Sequence, residues 1–139
     1  MQASLRPSST TTHASSTPTM LKALLGFDAV TCLLLGAVLM AANAAAARIT
    51  GLPAPLLMEA DGVLLLFGAF VGWAALKRAA SRVVVLCIVN ANFSWAVASV
   101  AVAILFTDAT STGRTLVVVQ GVAVGALAVF EFLAWKRAG

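Results

Sequence analysis

Charge is what this sequence has least of. Nine Lys or Arg and five Asp or Glu stand among 139 residues, so only 10% of the chain is charged. A soluble domain usually carries about 25%. With 61% hydrophobic residues and a mean hydropathy of +1.01, a water-facing surface cannot be assembled from what remains. Histidine is nearly missing too. His13 is alone in a polar stretch with no Cys, Asp or Glu beside it, which argues against a metal site and against haem ligation. The two cysteines, Cys32 and Cys87, lie in apolar segments at unequal offsets from the nearest basic residues. They lack CxxC spacing, so they read as small apolar residues and not as a disulfide. No HExxH, GxSxG or phosphate-binding loop occurs, so the chain does not read as an enzyme and no cofactor is expected.

What the chain has is long apolar runs. Val83 to Phe106 contains no charge and exceeds the ~20 residues that a helix needs to cross a bilayer. Four such spans are expected, over about 21–47, 56–76, 83–106 and 115–135. The fold class is therefore all-α: an antiparallel four-helix transmembrane bundle over residues 20–139, behind a disordered tail over 1–19. The tail is rich in Ser, Thr and Pro, and Met20 followed by LKALLGF reads as a compact start. The alanine-rich end of the first span also fits a signal-peptidase pattern at Ala42-Asn43-Ala44. Asp28 and the length of the apolar run oppose cleavage. GLPAP, residues 51–55, reads as a turn with Pro55 in the first turn of the next helix.

Basic residues set the expected orientation. With the N-terminus inside, Arg6, Lys22, Lys77, Arg78, Arg82, Lys136 and Arg137 are internal, against Arg48 and Arg114 outside. Both termini should then be cytoplasmic in a bacterial inner membrane, the basic residues facing lipid phosphate and not nucleic acid.

A weak internal repeat sets residues 61–79 against 120–138, with seven of nineteen pairs identical and Asp61 opposite Gln120. The first and third spans align with Asp28 opposite Asn90. Two parallel hairpins related by an axis along the membrane normal would follow.

The polar residues within the spans are the candidate site. They are Asp28, Asn90, Asn92 and Glu131, of which Asp28, Asn90 and Glu131 fall in the half of the bilayer nearer the basic end. Either Asp28 and Glu131 titrate in a proton- or cation-responsive site, or these polar residues pin helices together with Lys22, Arg82 or Lys136 reaching toward the acids. Asn90 and Asn92 lie about 200° apart on a helix, so one neighbour cannot serve both. Glu59, Asp61 and Gln120 form a second group toward the other end. The two acids there read as partners of a helix N-terminus near the surface. Gly68 with Gly72, and Gly121 with Gly125, have the GxxxG spacing that lets helix backbones approach, here for packing within one chain.

The acid in the first span suggests the small multidrug-resistance transporters, but LLGFDAVTC does not reproduce their glutamate motif. The Gly-rich first helix of the dual-topology fluoride channels is missing as well. GLPAPLL, Asn92-Phe93-Ser94-Trp95 and a Gln in the fourth span resemble uncharacterised small four-span bacterial membrane proteins, a resemblance that implies the fold and no activity. The expectation is a non-enzymatic packing, regulatory or envelope-associated module in the lipid bilayer, acting on another membrane protein or on itself. The alternative is a subunit of a small oligomeric transporter or channel that uses the intramembrane carboxylates.

Overall fold

A computed structural model describes residues 17–137. It contains five helices: α1 (Thr19–Ala41), α2 (Asn43–Thr50), α3 (Ala54–Leu76), α4 (Arg82–Leu105) and α5 (Ser111–Lys136). All except α2 are long and apolar enough to span a membrane. The chain is a multi-pass helical membrane protein. For residues 1–16 the expected disorder lies outside the described residues.

Two boundaries differ from those the sequence suggests. The first span ends at Ala41 and not at Ala47, because the chain bends at Ala42 and the alanine-rich stretch forms α2 separately. Asn43 is the one poor helix former in AANAAAA, and it ties the junction to α3, its Nδ2 donating to Ala54 O (3.1 Å). The tail, moreover, does not run to residue 19. Thr17 is held against the α3–α4 loop, its N–H donating to Arg78 O (3.2 Å) and its hydroxyl accepting from Ala80 N (2.8 Å).

Local chemistry explains the other ends. Gly51 closes α2 with φ of +69°, a left-handed conformation that strains any residue bearing a Cβ. Pro55 falls in the first turn of α3, as expected. Ser81 caps α4 by accepting from Val84 N, and Thr110 caps α5 by accepting from Gly113 N.

The long helices form two hairpins. α1 packs along α3 and α4 along α5, with much narrower contact between the pairs. Small residues make each hairpin tight. A Cβ on Gly68 would sit 3.0 Å from Cys32 Cβ, and one on Gly121 only 2.7 Å from Ser99 Cβ. Gly72 and Gly125 face Ala29 and Ala96 at ordinary contact distance. Both GxxxG pairs therefore serve packing inside the chain.

The hairpins repeat, in a register one residue from the sequence alignment of the second and fourth spans and two residues from that of the first and third. The pattern of buried and exposed positions over 23–34 recurs without change over 83–94. That of 63–76 recurs over 123–136 with one difference, at 72 and 132. The spacing is sixty residues, which places Asp61 opposite Gly121, Asp28 opposite Ile88, Cys32 opposite Asn92 and Val71 opposite Glu131. The alignment of Asp61 with Gln120 and Asp28 with Asn90 is thereby corrected. The shared Lys-Arg-Ala ending drew the letters together, whereas the face that each helix buries decides which positions are equivalent.

The hairpins meet along a seam filled near the basic end by Leu21, Leu25, Ala29, Val71, Ala74, Val85, Ile88, Val89, Ala128 and Ala134. At the opposite end the loops are stitched together. Thr110 N donates to Thr50 O (2.8 Å) and its hydroxyl to Ile49 O (2.7 Å), while Gly113 lies against the Thr50 backbone.

Candidate functional site

Three of the four residues expected to form an intramembrane polar site converge on the seam. Asp28 comes from α1, Asn92 from α4 and Glu131 from α5. Their exposures are 2%, 3% and 0%. An amide nitrogen carries two hydrogens, and Asn92 uses both: Nδ2 donates to Asp28 Oδ2 at 3.0 Å and to Glu131 Oε2 at 3.1 Å. The first of these bonds crosses between hairpins. Cys32, one turn along α1, adds a thiol donor to Asp28 Oδ1 at 3.5 Å. The second carboxylate oxygen of Glu131, Oε1, is buried without a partner.

The arrangement follows from helix geometry. Asp28 and Cys32 are one turn apart on α1 and share the face that meets the seam. Asn92 takes the position on α4 that Cys32 takes on α1, and Glu131 takes the position on α5 that Val71 takes on α3. One hairpin supplies an acid and a thiol, the other an acid and an amide.

The basic residues do not reach in. Arg82 lies over the Trp135 ring, 5.2 Å from its centroid, and Lys77 over Trp73 at 4.7 Å. The expectation of a cation reaching for the acids is corrected for Arg82, whose charge rests on an aromatic ring at the helix end. Among the described residues, Asn92 and Cys32 are the hydrogen-bonding partners of the two carboxyls. No group of three or more His, Cys, Asp or Glu there is arranged to hold a metal ion.

Asn90 is not part of this site. It is exposed on α4, where its side-chain amide donates to Leu86 O of its own helix (2.8 Å) and its backbone carbonyl accepts from Ser94 Oγ. The helical angle between Asn90 and Asn92 separates their roles, as the sequence required.

The second expected group is only partly assembled. Glu59 is exposed. Gln120 joins a closed ring with α4: Trp95 Nε1 donates to Gln120 Oε1 (3.0 Å), Gln120 Nε2 to Ser99 Oγ (2.7 Å), and Ser99 Oγ to Trp95 O (2.8 Å). Asp61 stands apart from that ring. It lies beyond the first turn of α3 and is 3% exposed, with Oδ2 unpartnered. The reading of Asp61 as a surface acid at a helix N-terminus is therefore corrected, because α3 begins at Ala54 and turns Asp61 onto the buried α1 face beside Gly36.

Sequence reasoning missed Cys32 as a partner of Asp28. The i, i+4 spacing of an acid and a thiol was the available signal. It also missed a cavity of about 80 Å³ in the seam, bordered by Cys32, Asn92 and Trp95 together with apolar side chains of α3, α4 and α5.

No family of known proteins, no curated protein and no solved structure matches this chain. The fold defines a multi-pass membrane protein with a buried carboxyl–amide–carboxyl cluster, and its function has to be argued from that cluster.

Proposed function

We propose that this is a non-enzymatic membrane module whose working part is a proton-responsive latch between two hairpins. The observation that carries this reading is the single Asn92 amide shared by Asp28 and Glu131. Polar pinning alone needs no acid, since neutral amides form inter-helix hydrogen bonds at lower insertion cost than the roughly 2.5–3.5 kcal/mol of a central carboxylate. Two acids on one amide, with no cation among the described residues hydrogen-bonded to them, form a group whose net charge depends on protons. With both carboxyls ionised, two negative charges oppose each other in a dry seam. Adding one proton removes that repulsion and supplies an O–H donor.

The charged residues toward the basic end are Lys22 on α1, Lys77 just past the end of α3, Arg82 at the start of α4 and Lys136 at the end of α5, while Glu59 and Asp61 on α3 and Arg114 on α5 lie toward the other end; Cys32 is the titratable side chain bonded to the latch. We place that basic end at the cytoplasmic face of a bacterial inner membrane, with both termini inside, on the excess of Lys and Arg there. The module would act on another membrane protein or on a second copy of itself. The alternative, a subunit of a small oligomeric transporter or channel, is favoured by the cavity that touches Asn92.

Thermal unfolding of the purified protein in detergent across a pH series tests the latch. The wild type should lose stability as pH rises through the range in which the pair ionises, and Glu131→Gln should flatten that profile while keeping the helical content. Asp28→Asn should be tolerated structurally, because its amide oxygen still accepts from Asn92. Identical pH profiles for wild type and Glu131→Gln would sink the proposal.

A further inference from the structure

The sixty-residue repeat gives the outward faces of α1 and α4 an internal comparison. Phe27, Val30 and Leu34 on α1 occupy the positions of Cys87, Asn90 and Ser94 on α4, and all six side chains are exposed. In the first hairpin these positions hold large apolar groups, as contact with hydrocarbon favours. In the second they hold a thiol, an amide and a hydroxyl. Asn90 is eight residues along α4 from Arg82, ~12 Å in from that end, so its depth is that of the hydrocarbon core.

That setting leaves Asn90 short of partners. One amide hydrogen goes to Leu86 O of its own helix (2.8 Å); the other, and the side-chain oxygen, have no partner among the described residues. Ser94 turns its hydroxyl back onto the Asn90 backbone carbonyl (2.9 Å). Lipid tails offer neither donor nor acceptor, so an amide at this depth is satisfied only by another protein group.

We infer that this face of α4 is the contact with a second copy of the chain, two α4 helices lying parallel about a two-fold axis with Asn90 against Asn90. The amide itself selects that occupant. It is donor and acceptor at once, so across a two-fold axis the free N–H of each Asn90 meets the side-chain oxygen of the other. Copies inserted the same way always bring that amide to the same depth. Cys87, Asn90, Ser94, Val97 and Ala101 recur at alternating spacings of three and four, the period at which two helices keep one face together. The small members of that series let the backbones come close. α1 has the same period at Phe27, Val30 and Leu34 but no polar group, so the chemistry and not the period singles out α4. The one charge on α4, Arg82, is drawn over Trp135 of its own chain. The contact is separate from the latch. Asn90 and Asn92 project about 200° apart, so pairing through the first leaves the second in the seam.

The native cysteines make the test direct, because Cys87 is exposed and Cys32 buried. The full chain is placed in liposomes over a range of protein-to-lipid ratios and oxidised with copper phenanthroline. Wild type should form a disulfide-linked dimer, and Cys87→Ser should not. Cys87 lies ~10 Å from the midpoint of α4, so antiparallel helices would hold the two thiols roughly 20 Å apart. The disulfide therefore reports the parallel pair alone. Energy transfer between copies labelled at the C-terminus, followed as lipid is added, gives the dissociation constant. Asn90→Leu should raise it about tenfold, with helicity kept and crosslinking lowered in step. Val30→Leu, at the equivalent position on α1, should change neither. Wild type monomeric at every ratio would overturn the inference and leave this face to a different protein. Association as strong in Asn90→Leu as in wild type, or crosslinking that survives Cys87→Ser, would also overturn it. If Asn90→Leu does not fold, Ser94→Leu decides, since leucine already stands at the equivalent Leu34. Unchanged association in that variant removes this face from any dimer.

Discussion

Cys32 and Asn92 occupy equivalent positions sixty residues apart, and both donate a hydrogen bond to Asp28, one from its own helix and one from across the seam. The thiol is the weak donor and contributes little to holding the hairpins together. The amide is the donor that joins them.

Asn92→Leu should therefore cost about 1–3 kcal/mol, since it leaves two buried carboxyls without their common donor. Asn90→Leu, at an exposed position of α4, should leave the monomer within about 0.5 kcal/mol of wild type. Unfolding in mixed detergent micelles measures both. Equal losses would show that the seam cluster has no special role in stability.

Each hairpin depends on glycine where its helices approach closely, at Gly36 and Gly68 in the first and at Gly121 in the second. Gly121→Leu should destabilise by about 1–3 kcal/mol or more, because its first side-chain carbon already meets Ser99 Cβ at 2.7 Å. Gly72→Ala should be nearly neutral, with Ala29 Cβ 3.6 Å away. A thermal-shift comparison of the two variants in detergent gives the ranking. Gly72→Ala as damaging as Gly121→Leu would contradict the packing described.

Thr17 divides the N-terminal segment into two parts with different expected effects. Deleting residues 2–16 should leave accumulation and detergent stability unchanged. Extending the deletion through residue 19 should lower stability, because it removes the Thr17 contacts with Arg78 and Ala80 and the first residue of α1. Thr17→Val should reproduce part of that loss, on the order of 1 kcal/mol for one hydrogen bond. Proteolysis of the α3–α4 loop reports it directly.

Reporter fusions test orientation. Fusions after Lys77 and after the C-terminus should read cytoplasmic, and fusions at Gly51 or Ser111 should read external. A cytoplasmic signal at Gly51 would reverse the arrangement proposed for the basic end.

Much of this was legible in the sequence, for identifiable reasons. Span number follows from apolar length, and the depth expected for Asp28, Asn90 and Glu131 follows from their offsets to basic residues. Rotation about each helix does not follow, because these helices are apolar nearly all round and the periodicity that marks a buried face is lost. That is why Asn90 stood beside Asn92 as a candidate, and why Asp61 read as a surface acid. Cys32 was overlooked because a thiol among leucines looks like packing until its i−4 neighbour is known to be buried. The bend at Ala42 was invisible for another reason: the bond from Asn43 to Ala54 that ties the junction is tertiary, and a single Asn among alanines is a weak signal.

The sixty-residue register carries one last consequence, and it concerns symmetry. Two identical hairpins related by a two-fold axis would each contribute the same residue at every equivalent position. An amide placed opposite Asp28 would then be an amide at Cys32 too, and an acid at Glu131 would be an acid at Val71. Such a pair would bring four acids and two amides to its axis. Joining the halves in one chain lifts that constraint, so each side of the axis can be given a different chemistry. Asp28 with a thiol on one side, and Glu131 with an amide on the other, is an arrangement open only to a molecule whose two halves are free to differ.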